Sequence, residues 1–256
     1  MKSLNMKDTN FSLKDKIILV TGATSGIGLE VCKQIVVAGG NFIGIGRNIE
    51  KLETYISDHK LEQSKAIKFD LVEIENIHLL VSNLSIKIDG FVHSAGIAYV
   101  SPMHFFNYSD YENIRKINLD CVLVLFSELL KKKKINKQAS VVFISSISAI
   151  RGAKGNGLYA ITKSALDTIS KVYANELSSR CIRVNTVQPG MVETEMSMQA
   201  ENILSKEVMD IDRSKYPLGY GQAKDIALPV IFLLSSASKW ITGQSIVIDG
   251  GRTSVL

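Results

Sequence analysis

The stretch Ile17-Ile18-Leu19-Val20-Thr21-Gly22-Ala23-Thr24-Ser25-Gly26-Ile27-Gly28 decides how this chain folds. Its first four residues form a short, continuously apolar run, the pattern of a strand covered on both faces. From residue 27 to residue 38 the apolar positions follow a helical period, which stops at Gly39-Gly40. Three glycines stand between the two patterns, so a strand turns tightly into a helix and opens a βαβ unit. Such a turn lets the backbone approach a ligand closely. The helix start then presents unpaired N–H groups and a positive dipole end to an anion. A dinucleotide pyrophosphate is the anion this arrangement suits.

Outward from there, apolar runs recur at residues 42–45, 66–69, 90–93, 141–144, 183–187 and 245–248, with helical patterns between them. Ser109-Asp110-Tyr111-Glu112 reads as a capping box ahead of a helix reaching about residue 130. Alternating strands and helices predict an α/β protein: a single-domain Rossmann fold with a doubly wound, seven-stranded parallel sheet flanked by helices on both faces. Repeats and linkers are absent from the sequence, so residues 1–256 are expected to form one dinucleotide-binding domain. Residues 1–12 are expected to be a flexible extension. Residues 191–220, rich in methionine (Met191, Met196, Met198, Met209), are expected to form the substrate-binding loop region.

Composition narrows the function. The chain has 256 residues, 46% of them hydrophobic, which excludes disorder. Thirty basic against 25 acidic residues leave +5, too dilute to indicate nucleic acid. The one dense run, the lysines at 131–134, reads as a solvated helix end, with a docking patch for an acidic partner as the alternative. Cys32, Cys121 and Cys181 lack a CxxC spacing and read as free buried thiols in a reducing compartment. His59, His78, His93 and His104 are scattered, so no metal site is expected. The longest apolar runs fall well short of the roughly 18 residues of a membrane span, and the expected location is cytoplasmic.

In doubly wound sheets ligands sit beyond the carboxyl ends of the strands. The second run ends Ile45-Gly46-Arg47-Asn48, with no carboxylate for a ribose 2′-hydroxyl. Arg47, with Ser25 in the glycine loop, suits a 2′-phosphate instead, which favours NADP(H) over NAD(H). The fifth run leads into Ser145-Ser146, and Tyr159 and Lys163 follow four residues apart, on one face of a helix. A free tyrosine titrates near ~10. A neighbouring Lys⁺ and an oxidised nicotinamide are expected to lower that value, making Tyr159 a usable proton donor or acceptor. Ser146 is placed to hydrogen-bond a substrate oxygen as charge develops there.

These residues resemble the compact one-domain branch of the short-chain dehydrogenases/reductases over nearly the whole chain. The glycine loop fits TGxxxGxG, Tyr159-Ala160-Ile161-Thr162-Lys163 fits YxxxK, and Ser146 fits the serine before it. Pro189-Gly190 with Thr194 fits PGxxxT; Val184-Asn185 and the stretch from Ile241-Thr242-Gly243-Gln244 to Asp249-Gly250-Gly251 also match. The resemblance implies catalytic roles for Asn118, Ser146, Tyr159 and Lys163, with Asn118 supporting a water that links the lysine to solvent. It implies cofactor contacts from Gly22, Thr24, Ser25, Gly26, Ile27, Gly28, Arg47, Asp70, Leu71, Ser94, Ala95, Gly96, Tyr159, Lys163, Pro189, Gly190, Val192 and Thr194, with Asp70 at the adenine. Within the family the chain is most similar to 3-oxoacyl-acyl-carrier-protein reductases, which implies a 3-oxoacyl thioester substrate and an acyl carrier protein as candidate partner. Sugars, sterols or other small ketones are the second reading, and a non-catalytic NADP(H) sensor the third. The resemblance also implies a homotetramer, for which Ala160, Ser164 and Ala165 would allow close helix contact. Two positions depart from the family: His93 begins what is usually NNAG, and Tyr220 stands where relatives commonly carry Arg. Pro229 is expected to kink its helix.

Overall fold

The structure, a computed structural model, describes residues 10–197 and 206–254. Its strands are β1 (Ile17–Thr21), β2 (Asn41–Gly46), β3 (Lys65–Lys68), β4 (Ile88–His93), β5 (Ile135–Ile144), β6 (Arg183–Pro189), β7 (Val192–Glu193), β8 (Gly221–Gln222) and β9 (Ser245–Ile248). Seven of them form one parallel sheet in the order β3-β2-β1-β4-β5-β6-β9, while β7 and β8 pair separately. The chain order reverses between β1 and β4, which opens a crevice above their carboxyl ends.

Helices α1 (Gly26–Val37), α2 (Glu50–Asp58), α3 (Ile77–Ser82), α4 (Tyr108–Arg115), α5 (Cys121–Lys131), α6 (Gly157–Glu176), α7 (Lys206–Arg213) and α8 (Ala223–Leu234) cover the sheet. Alternate strand residues point to opposite faces. Leu19, Phe91, Val141 and Phe143 pack with α3, α5 and α6 in one core. Ile18, Val20, Val92 and Val142 pack with α1, α2 and α8 in the other. Both faces are dry, which is why the strands read as continuous apolar runs rather than alternating ones.

Three local expectations are corrected, at the start of β5, the cap of α4 and Cys181. Strand β5 begins six residues before the apolar run: Ile88 pairs with Ile135 and Gly90 with Ser140, and the shift between them is taken up at Gln138, whose φ is 64°. The cap of α4 is Asn107, whose Oδ1 accepts from the Ser109 N–H at 2.8 Å. The lysine run lies at the end of α5 with Lys131 and Lys133 exposed; Lys131 pairs with Glu128, the Lys132 ammonium donates to His78 O and Ser82 Oγ, and that of Lys134 donates to Leu84 O. Cys181 is exposed, whereas Cys32 and Cys121 are buried. α8 stays helical through Pro229, held at its start by a reciprocal Gln222–Asp225 capping box. No helix among the described residues is long and apolar enough to cross a membrane. None of their His, Cys, Asp and Glu side chains cluster as metal ligands.

Candidate active site

The carboxyl end of β5 and the first turns of α6 bring the expected trio together. Ser146 follows β5 in extended conformation, and its Oγ accepts from the Ser148 N–H at 3.1 Å, capping the turn Ile147–Ala149. Ser145 points the other way and donates to Lys163 O at 3.0 Å, pinning α6 to the strand end. On α6 the Lys163 ammonium lies 5.5 Å from the centre of the Tyr159 ring and donates to Ile144 O at 2.8 Å. Burial pushes the Tyr159 phenol up to about 12, opposed by its hydrogen bond with Ser146. The protein alone therefore does not supply the lowered value expected from sequence, because burial dominates at the Tyr159 phenol. Burial also pulls Lys163 down to about 8, opposed by Cys121 and then by the charge of Asp167.

Asp167 was not anticipated. It continues the 159-163 spacing by one further turn, and that repeat was the signal available. Buried under the site, it accepts from Thr186 Oγ1 and Gln188 Nε2, both at 2.6 Å, and so joins α6 to β6. Asn118 lies in a π-helical turn, Lys116–Asp120, between α4 and α5. Such insertions redirect a side chain out of the helical register. Here Asn118 Oδ1 accepts from Ile97 N at 2.8 Å and Nδ2 donates to Ile97 O at 3.0 Å, fixing the loop after β4. His93 at the end of β4 is fully buried, with Nδ1 2.8 Å from Thr21 Oγ1. Burial, then Lys163, pushes it down to about 3, so it is a neutral structural residue.

The comparisons follow the same lines. A family model described as enoyl-(acyl carrier protein) reductase matches residues 22–253. This chain belongs to the short-chain dehydrogenases/reductases. It is 33% identical over 245 residues to a 3-oxoacyl-acyl-carrier-protein reductase of Rickettsia bellii, covering 95% of this chain and 99% of that one. An L-xylulose reductase of Caenorhabditis elegans is 29% identical, with 94% and 97% covered. Among solved structures, a gluconate 5-dehydrogenase from Burkholderia cenocepacia in complex with NADP and tartrate superposes with a TM-score of 0.88 at 26% identity, covering 96% of this chain and 98% of that one.

Short-chain dehydrogenases/reductases bind NAD(P), and the residues present fit that group. The glycine loop is a cradle that side chains would fill: a Cβ on Gly22 would lie 2.7 Å from Ala95 N, and one on Gly28 only 2.1 Å from Gly22 O. Thr24 packs under Gly46, Ser25 precedes α1, and Ser94 N donates to Thr21 O at 3.2 Å. Beside the loop, a pocket of about 230 Å³ is lined by Thr24, Ser25, Arg47, Asn48, Lys51 and Glu195. Asn48 and Lys51 were missed in the sequence because only a strand-end arginine was sought there. Asp70 stands just beyond β3 and caps its own turn by accepting from Val72 N, while the Leu71 side chain is in the core, leaving its main chain for a contact.

Gly190 packs on Asp249 and Tyr216, Val192 is buried, and Thr194 meets Gly26, a Cβ on which would lie 3.3 Å from its methyl. Val184 and Asn185 anchor the 241–244 stretch to β6: Val184 N donates to Thr242 Oγ1, and Asn185 bonds Ile241 O and Gln244 N. Tyr216 Oη accepts from Met191 N at 3.1 Å, and Tyr220 donates to Asp212 at 3.0 Å, so Tyr220 ties its segment to α7. Met196 is exposed; Met198 and the side chain of Met209 lie outside the described residues.

Proposed function

We propose that the chain is an NADP(H)-dependent reductase of a carbonyl to a secondary alcohol, or the reverse, acting on a 3-oxoacyl thioester. The observation that carries the reading is the convergence of Ser146 at the strand end with Tyr159 and Lys163 on one face of α6, the Lys163 ammonium 5.5 Å from the centre of the Tyr159 ring. Bound NADPH supplies the hydride. Ser146 Oγ donates to the substrate oxygen as negative charge grows on it. Tyr159 Oη gives that oxygen its proton and takes it back in the oxidation direction. Lys163 holds its charge beside the phenol and binds the nicotinamide ribose, while Asn118 keeps the Ile97 loop in place behind it. Arg47 and Ser25 receive the 2′-phosphate, and the substrate side is taken by the 191–220 region, of which residues 198–205 lie outside the described residues.

The carbonyl substrate is supported by the ketone-reducing names of the relatives and by the neighbouring Ser146 and Tyr159 hydroxyls. A thioester carried on an acidic carrier protein follows the Rickettsia relative. A keto-sugar or sugar acid is the second reading, favoured by the superposition on the gluconate 5-dehydrogenase. We further expect a homotetramer in the cytoplasm. The deciding experiment follows NADPH oxidation with an acetoacetyl thioester and, in parallel, with a 5-keto sugar acid. Tyr159→Phe is expected to lower turnover by about 10²- to 10⁴-fold. Undiminished turnover in that variant would overturn the role of Tyr159. Activity on the sugar acid alone would decide for the second reading, and NADPH binding with no turnover on any ketone would leave the sensor.

A further inference from the structure

The 230 Å³ pocket beside the glycine loop holds three charges. Arg47 has no carboxylate partner among the described residues. Lys51, the second residue of α2, is bound 3.0 Å away by Glu195. Glu195 comes from the other side of the crevice, 144 residues on in sequence, immediately after Thr194, which itself touches the glycine loop at Gly26. The ion pair thus spans the mouth of the pocket, and both side chains stay largely in solvent, 67% and 57% exposed. A surface pair of this kind is weak and exchanges easily.

An ordinary stabilising role fits poorly, because the pair places a carboxylate against the cavity where a dianionic phosphate would enter. With Glu195 in place the pocket carries a net charge of about +1. With Lys51 turned to the ligand it presents two cations to one anion.

We infer that Lys51 and Glu195 form an exchangeable latch that sets selectivity for the 2′-phosphate. Lys51 leaves Glu195 to bind the phosphate alongside Arg47, and Glu195 is the competitor that limits that affinity. The inference rests on the NADP(H) reading and adds to it both a second phosphate ligand and an opposing residue. It makes NADPH affinity depend on two side chains that NADH does not use, since NADH has a hydroxyl at the same position.

The test is equilibrium binding of NADPH and NADH, followed by nucleotide fluorescence, to the full chain and to Arg47→Ala, Lys51→Ala and Glu195→Gln. Neither Lys51 nor Glu195 is buried, so the variants are expected to fold, which thermal melts would confirm. Removing the competitor is expected to tighten NADPH by about three- to fivefold, and removing Lys51 to weaken it by at least that factor, with NADH unchanged in both. The salt dependence of NADPH binding should also become shallower in Lys51→Ala. If NADPH is preferred and Arg47→Ala removes the preference, but Glu195→Gln and Lys51→Ala change nothing, the latch is wrong and the cofactor reading stands. Equal tightening of both nucleotides by Glu195→Gln would also overturn the latch, since Glu195 would then be acting on something other than the phosphate. A chain that binds both nucleotides alike, with Arg47→Ala silent, overturns the reading and the latch together.

Discussion

Lys163 is a buried cation with no ion-pair partner among the described residues, and its desolvation is opposed first by Cys121 and then by Asp167 one turn along α6. Its ammonium is held at about 8, so reduction should weaken as pH rises through that value and the side chain loses its proton. Asp167→Asn removes the anion, further disfavours the cation and should move this falling limb of kcat/KM to lower pH. A limb that stays in place would reduce Asp167 to a tie between α6 and β6. His93 carries the complementary prediction for stability. Its folded value is about 3 against 6.5 when free, so below about pH 6.5 the unfolded chain binds a proton that the folded chain refuses. Stability should therefore fall as pH drops from 6.5 towards 3. His93→Asn, the residue usual in the family, should flatten the loss of Tm between pH 7 and 5; an equally steep loss would place the acid sensitivity elsewhere. At this scale Ser146, Tyr159 and Lys163 were legible because their chemistry depends on spacing along the chain. Asp167 and the unpartnered Nε2 of His93 were not, because their significance comes from what is packed around them.

Among elements, the β1–α1 turn tolerates the least change. At Gly28 an added methyl would sit 2.1 Å from Gly22 O, a backbone atom with no flexible end to yield, whereas at Gly26 it would meet only the Thr194 side chain at 3.3 Å. Gly28→Ala should therefore cost about 1–3 kcal/mol in urea unfolding and abolish NADPH binding, because the loop must spread to accept the methyl. Retained nucleotide affinity would mean that the loop relaxes more than its packing suggests. This turn was plain in the sequence, where three glycines sit between a buried strand and a helix. The start of β5 was concealed by Asn136, Lys137 and Gln138, polar residues that join the sheet only across a register shift. The cap at Asn107 lost out to a better-looking box two residues later. The π turn at Lys116–Asp120 left no mark either, since one extra residue in a turn displaces the apolar period too little to stand out.

For the whole molecule, topology was readable because alternating strands and helices joined by right-handed crossovers leave few parallel sheets to choose from. Surfaces that one chain buries against another leave no such trace. The sheet ends at β9, which is paired only with β6, and beside it stands the sole tryptophan, Trp240, 96% exposed. Val247 on β9 and Leu228 on α8 are also exposed, as are Ile161 and Val172 on α6. An open strand edge and a bare indole are liabilities in an isolated chain and ordinary components of a subunit interface. The expected homotetramer would cover them. Because Trp240 is the only indole, its emission reports that surface alone. At concentrations where sedimentation gives four chains, emission should be blue-shifted, and dilution or mild urea that dissociates the assembly before unfolding it should move it red. Tetramers with solvent-like emission would place the interfaces away from β9, and a monomer at all concentrations would remove the assembly. Trp240→Ser should weaken association while leaving NADPH affinity intact, because the residue lies at the far edge of the sheet from the β1–β4 crevice.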